Sequence, residues 1–181
     1  MKLYVMRHGP AEDDSPTGRD ADRVLTPAGR ERVRAIAQKL VDENEAPFII
    51  LSSPLARSLE TATIVAEVTQ LARRAREEQK AQTGGATGAV EIRRELGMGA
   101  GKLSLLAELV RAGRKRVMIV GHEPDLSMLV TSLIGHPPDG GMQKGMVVGV
   151  KLTPDPEVAG LQFRSKARFI LDPKTLAWHR D

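Results

Sequence analysis

The sequence contains no cysteine. That removes thiol nucleophiles, cysteine-based zinc sites and disulfides together, and it fits a reducing compartment, with the cytoplasm as the default expectation. Aromatic residues are scarce, one Trp, one Tyr and three Phe in 181 residues, too few to build the stacking platform of a single-strand nucleic-acid binder. No uninterrupted apolar run reaches the roughly 18 residues of a membrane span, and Met1–His8, already carrying Lys2 and Arg7, reads as a strand rather than a leader. Neither nucleic acid nor membrane is therefore an expected partner. The formal charge is +4, with 18 Arg to 9 Lys, a balance that favours anionic partners without choosing among them.

What is present suits one domain over residues 1–181. At this length a chain buries about 70% of the surface its extended form exposes, so no disulfide or structural metal is required. Lys2–Met6 is a short apolar strand closed by Arg7-His8-Gly9-Pro10. A polar loop from Ala11 to Val24 follows, until Thr26-Pro27 supplies an N-cap and a proline for the first helical position. Val33, Ile36, Ala37, Leu40 and Val41 then form one helical stripe ending near Asn44. Pro47–Leu51 is a second strand, followed by Ser52-Ser53-Pro54 and a helix through Ile64, Val65, Val68, Leu71 and Ala72. Residues 73–89, charged and then glycine-rich, read as a solvated helix end running into a flexible surface insertion.

Val90–Arg94 is a third strand, and Leu103, Leu106, Ala107 and Val110 mark a third helix. Arg116–Gly121 is the clearest buried strand, followed by a helix with Leu126, Leu129, Val130, Leu133 and Ile134 that Gly135 ends. Two late strands, Met146–Leu152 and Gln162–Leu171, close the pattern; the second alternates polar and apolar residues as a half-exposed strand does. Strands alternating with helices imply a three-layer α/β/α fold with a mainly parallel central sheet and an antiparallel edge.

In such sheets ligands bind beyond the carboxyl ends of the strands. The first strand runs into Arg7-His8, the second leads through Ser52-Ser53-Pro54 to Arg57, and the fourth ends at His122. Two guanidinium groups suit a bidentate phosphoryl clamp. A neutral imidazole can attack phosphorus and split one hydrolysis into two displacements, and the neighbouring Arg7 cation disfavours imidazolium at His8. Arg57 near a helix start sits at the positive end of the macrodipole, so an anion is expected beside it.

Arg7-His8-Gly9-Pro10-Ala11, Leu25-Thr26-Pro27-Ala28-Gly29, Ser52 through Ala62 and Val120-Gly121-His122-Glu123-Pro124, in that order, resemble the histidine phosphatase superfamily, and within it the short phosphohistidine phosphatase SixA-like branch. Phe169–Trp178 is similar to that group's ending. The resemblance implies a phosphoglycerate-mutase-like fold, His8 as the phosphorylated nucleophile, Arg7 and Arg57 holding the phosphoryl group and His122 donating a hydrogen bond to it. It implies no cofactor and no metal. Larger relatives carry a helical lid for small substrates, for which this chain is short, so an open site suited to phosphohistidine on a protein is expected. The position of Val33 is often alanine in the family, a change expected to affect only packing. A donor carboxylate is not evident: Glu95, after the third strand, is the candidate general acid, with Glu123 behind it.

Three other readings stay open. His8, His122 and a carboxylate such as Asp125 could bind a metal in a hydrolase. The arginines could serve a non-catalytic module that recognises phosphorylated protein. The chain could be a small-molecule phosphatase or mutase of the same superfamily.

Overall fold

A computed structural model describes residues 1–80, 90–99, 101–157 and 163–180, with the backbone alone described for 71–80. Seven strands form one sheet: β1 (Lys2–Arg7), β2 (Ile49–Ser52), β3 (Val90–Ile92), β4 (Arg116–Gly121), β5 (Val147–Pro154), β6 (Phe163–Leu171) and β7 (Trp178–Arg180). Among the described residues four α-helices accompany them: α1 (Pro27–Asp42), α2 (Ala56–Lys80), α3 (Lys102–Arg111) and α4 (Asp125–Ile134). The strand order is β3-β2-β4-β1-β5-β6-β7; β3, β2, β4 and β1 run parallel, and β5 to β7 continue antiparallel from β1. The parallel centre with an antiparallel edge is the arrangement expected from the sequence.

Successive side chains on a strand point to opposite faces, and β1 shows how this makes three layers. Leu3 and Val5 enter one core with Leu105, Leu106 and Leu109 of α3 and Leu126, Leu129, Val130 and Leu133 of α4. Tyr4 and Met6 enter the other with Val33, Ile36, Ala37 and Leu40 of α1 and Ala62 and Val65 of α2. Leu3 through Met6 are wholly buried, so each apolar side chain contributes about 1.5–3 kcal/mol, and β1 is the structural axis. Among the described residues no helix is long and apolar enough to cross a membrane.

Several boundaries differ from the sequence reading. Helix α2 continues to Lys80 through the charged stretch read as a solvated helix end, while residues 81–89, the rest of that expected insertion, lie outside the described residues. In α3 the buried face is Leu105, Leu106, Leu109 and Val110, with Leu103 and Ala107 only packed against its edge. A helix with apolar residues around so much of its circumference leaves its inward face ambiguous by period alone. Strand β3 stops at Ile92, and Arg94–Leu96 forms a 3-10 turn. β5 runs on to Pro154, and Gln162 lies outside the described residues.

Strand β7 was not expected. Trp178 stacks on Phe169 with ring centroids 3.9 Å apart, and the Tyr4 ring lies 6.2 Å from Phe169 and tilted by 41°, so three of the five aromatics form one cluster that holds the last strand to the sheet. A Cβ on Gly149 would come within 2.2 Å of the Phe169 ring, which is why the neighbouring strand carries glycine there. At the opposite end of β1 from the strand's carboxyl terminus, Glu45 accepts from Tyr4 Oη at 2.8 Å, Lys2 Nζ at 3.0 Å and Arg168 Nη2 at 2.5 Å. Burial pushes the Glu45 carboxyl upward, but hydrogen bonds from Arg168, Lys2 and Tyr4 outweigh it and hold the group at about 2.

Candidate active site

The register of the sheet sets the site. Arg7 lies opposite Gly121 across the β1–β4 pair, so the next residues, His8 and His122, leave two adjacent strands at the same level. On the other side of β4, Ser52 lies opposite Val120, and the chain turns through Ser53 into α2, whose second residue is Arg57. The rings of His8 and His122 are 5.2 Å apart between centroids and inclined by 49°. His8, Arg57 and His122 are all buried, and the structure brings them together with Arg7 as the sequence led one to expect.

Close packing holds the loop that carries His8. Thr26 caps α1 by accepting from the Gly29 N–H at 2.9 Å, and a Cβ on Gly29 would lie 2.1 Å from the Pro10 carbonyl oxygen, so only glycine lets α1 approach the loop this closely. Val33, wholly buried, covers Gly9 from the same helix; a Cβ on Gly9 would meet its methyl at 2.6 Å. The expectation that Val33 affects packing describes its place. From α2, Thr61 accepts from the Gly9 N–H at 3.0 Å and donates to the Arg57 carbonyl at 2.7 Å, tying the loop to the helix that carries Arg57.

The His8 Nδ1 lies 2.7 Å from the Gly9 carbonyl oxygen. A carbonyl only accepts, so Nδ1 carries the proton and Nε2 keeps its lone pair. Burial, with the charges of His122, Arg57 and Arg7 acting the same way, lowers His8 to about 3 against the Gly9 hydrogen bond. His122 Nε2 lies 2.8 Å from Ser53 Oγ and 3.2 Å from Ser58 Oγ, and burial with the nearby Arg57 lowers this imidazole to about 4. Both rings are therefore neutral at ordinary pH.

Two buried nitrogens have no partner among the described residues: Arg7 Nε and His122 Nδ1. Arg7 Nη1 donates to the Met142 carbonyl at 2.8 Å, which fixes the guanidinium. Buried polar atoms without partners are rare in folded proteins, and both of these belong to residues at the rim where β1 and β4 end.

Arg57 is engaged differently from the expectation. Its Nη2 donates to Asp20 Oδ2 at 2.9 Å and its Nη1 to the Asp20 carbonyl at 2.7 Å, so the anion expected at the start of α2 is supplied by the protein's own loop. Asp20 begins a 3-10 turn, Asp20–Asp22, within the stretch read as plain loop. Sequence reasoning missed Asp20, Ser58 and Thr61. Thr61 carried a signal, since it falls four residues after Arg57 and so lies on its side of a helix; Ser58, one residue on and about 100° around the helix, and Asp20, one of several acidic residues in its loop, carried none.

Glu95 lies in the turn after β3 and pairs with Arg93 at 2.9 Å, which also holds Glu108 at 3.0 Å. That hydrogen bond keeps the Glu95 carboxyl below the usual carboxylate range, the wrong direction for a general acid at neutral pH. Glu95 makes no hydrogen bond to His8, Arg57 or His122. Glu123 accepts from the Ser127 N–H at 3.2 Å, capping α4. Asp125, the third ligand of the metal reading, accepts from Lys102 Nζ at 2.8 Å and the Gly99 N–H at 2.9 Å, and no three histidine or carboxylate side chains gather among the described residues.

Residues 3–88 match the family model of the histidine phosphatase superfamily, branch 1. The chain belongs to the histidine phosphatase superfamily. An uncharacterized protein of Picosynechococcus sp. is 33% identical over 126 residues, 70% of this chain and 68% of that protein. Among solved structures, the fold is similar to the protein histidine phosphatase SixA complexed with tungstate, at 21% identity and a TM-score of 0.73 over 98% of this chain and 100% of that one. A putative SixA from Agrobacterium tumefaciens gives 22% identity and 0.70 over 95% and 97%. A mycobacterial glucosyl-3-phosphoglycerate phosphatase gives 18% and 0.61 over 92% and 96%. The fold is thus the phosphoglycerate-mutase-like fold of these phosphatases.

Proposed function

We propose that this histidine phosphatase hydrolyses phosphohistidine on proteins through a covalent intermediate on His8. The observation that carries the reading is the His8 ring itself: its Nδ1 proton is committed to the Gly9 carbonyl, which leaves Nε2 unprotonated, and the ring lies 5.2 Å from that of His122 between centroids. His8 Nε2 attacks phosphorus, and the bond to the leaving group breaks with its electron pair going to that group. Arg7, Arg57 and His122 hold the phosphoryl oxygens as charge redistributes. Ser53 and Ser58 hydroxyls donating to His122 Nε2 would keep the single proton of that ring on Nδ1, aimed at the phosphoryl group. Water then attacks the phosphorylated His8, releasing phosphate and restoring the imidazole.

The leaving group favours phosphohistidine over alkyl phosphates. An alkoxide needs a general acid worth about 100- to 10,000-fold, whereas an imidazole protonated on its far nitrogen departs neutral. Neither Glu95, paired with Arg93, nor Glu123, accepting from the Ser127 N–H, makes a hydrogen bond to His8 or His122, which supports a leaving group that departs without an acid. The similarity to SixA structures supports the same substrate class, and the mycobacterial phosphatase neighbour supports a small-molecule phosphomonoester as the second reading.

The test is a substrate panel. Phosphorylated histidine proteins should be turned over with kcat/KM at least about 100-fold above sugar, glycerate and nucleotide phosphates, the lower end of what a missing acid costs on an alkoxide. Preference for any one of the esters would move the assignment to the small-molecule class.

A further inference from the structure

The carboxylate on Arg57 lies on the solvent side of the buried site. In-line displacement sends the leaving group away from His8, and because His8 is buried the only way out is toward solvent. Asp20 lies on that outward side: its side chain is 62% exposed, whereas that of Arg57 beneath it is 10% exposed. It is held there. Asp20 Oδ1 accepts from Arg23 Nη1 at 2.8 Å, Arg23 Nε donates to the Glu12 carbonyl at 2.6 Å, and Asp22 in the same turn accepts from Arg19 Nε at 2.8 Å and Thr17 Oγ1 at 2.5 Å. Its charge is felt inside the site as well, raising His122 against the lowering by burial and Arg57.

We infer that Asp20 is a specificity-determining residue that selects substrates by leaving-group charge, favouring those that present a cation or an N–H at the mouth over those that present a carboxylate. The inference rests on His8 being the attacking atom. Hydrogen bonds from Arg23 and Arg57 keep Asp20 below its ordinary range, so it stays ionised and accepts rather than donates. For a phosphohistidine protonated on the far ring nitrogen, Asp20 can accept that N–H. When His8 attacks, the P–N electron pair returns to the ring, which leaves as neutral imidazole with its proton retained. No proton passes through Asp20.

The test uses two aryl esters that need no general acid, para-trimethylammoniophenyl phosphate and para-carboxyphenyl phosphate. The ratio of kcat/KM for the cationic over the anionic ester, compared between the unmodified protein and Asp20→Asn, cancels intrinsic reactivity. Asp20→Asn should lower that ratio about fivefold, the effect of one unit charge several ångström away in a half-hydrated mouth. Asp20→Glu should restore it. Inorganic phosphate should inhibit Asp20→Asn more tightly, because a competing anion has left Arg57. The same ratio, read as dissociation constants in a His8→Asn background, does not depend on turnover. An unchanged ratio would overturn the inference. So would equal losses on both esters with weaker phosphate binding, which would make Asp20 a support for Arg57. Neither ester is a phosphohistidine, so a shifted ratio in a protein that ignores phosphohistidine would remove the proposed substrate and leave the selector in place.

Discussion

Two buried neutral histidines make this protein sensitive to mild acid. In the unfolded chain each imidazole titrates near 6.5, whereas in the folded protein burial holds His8 at about 3 and His122 at about 4. As pH falls below 6.5 the unfolded chain binds protons that the folded protein refuses, so stability is full above that value and is lost as pH falls through the window down to about 4 and then 3. From pH 7 to pH 5 this costs about 2 kcal/mol for each histidine and about 4 kcal/mol for the pair, out of a total of about 5–15 kcal/mol for a domain. The stretch from pH 7 to pH 5 lies above the range of most carboxylates, and the other two histidines, His136 and His179, are exposed. Urea unfolding followed at several pH values reads the effect, and His8→Asn and His122→Asn should each remove about half of it. A flat stability between pH 7 and pH 5, or a slope that both variants leave intact, would refute the reasoning.

Arg57→Ala should weaken inorganic phosphate binding at least about 10-fold and turnover at least about 100-fold, measured by inhibition and steady-state kinetics, since the proposed function assigns the buried guanidinium a part in both. Glu95→Gln should leave kcat/KM within about twofold on any substrate, because its partner is Arg93 at the protein surface. Glu45→Gln should cost about 1–3 kcal/mol in urea unfolding at pH 7 while leaving turnover unchanged, as it weakens the cluster with Lys2, Tyr4 and Arg168 far from the histidines.

The residues whose place could be read from sequence are those fixed by position on a strand. Arg7, His8 and His122 lie at the ends of runs apolar enough to be unmistakable buried strands, and a parallel sheet gathers such ends on one rim. Arg57 follows from the turn after β2. What sequence could not give depends on which way a loop folds back. Asp20 reaches Arg57 across 37 positions, and nothing local sets it apart from Asp13, Asp14 or Asp22. Glu95 illustrates the converse: it follows a strand, as a site residue should, but Arg93 two positions earlier takes its carboxylate. Strand β7 has three residues, two of them polar, so it shows no alternation; its place comes from Trp178 stacking on Phe169, a contact between distant parts of the fold.

The covalent step on His8 is tested most directly by trapping it. Substrate mixed with enzyme and quenched rapidly in alkali should leave a phosphate on His8 that survives base and is lost in acid, as a phosphorylated imidazole is, and it should form and decay at rates that match turnover. Label on Ser52 or Ser53, or no labelled protein in a single turnover, would contradict the account.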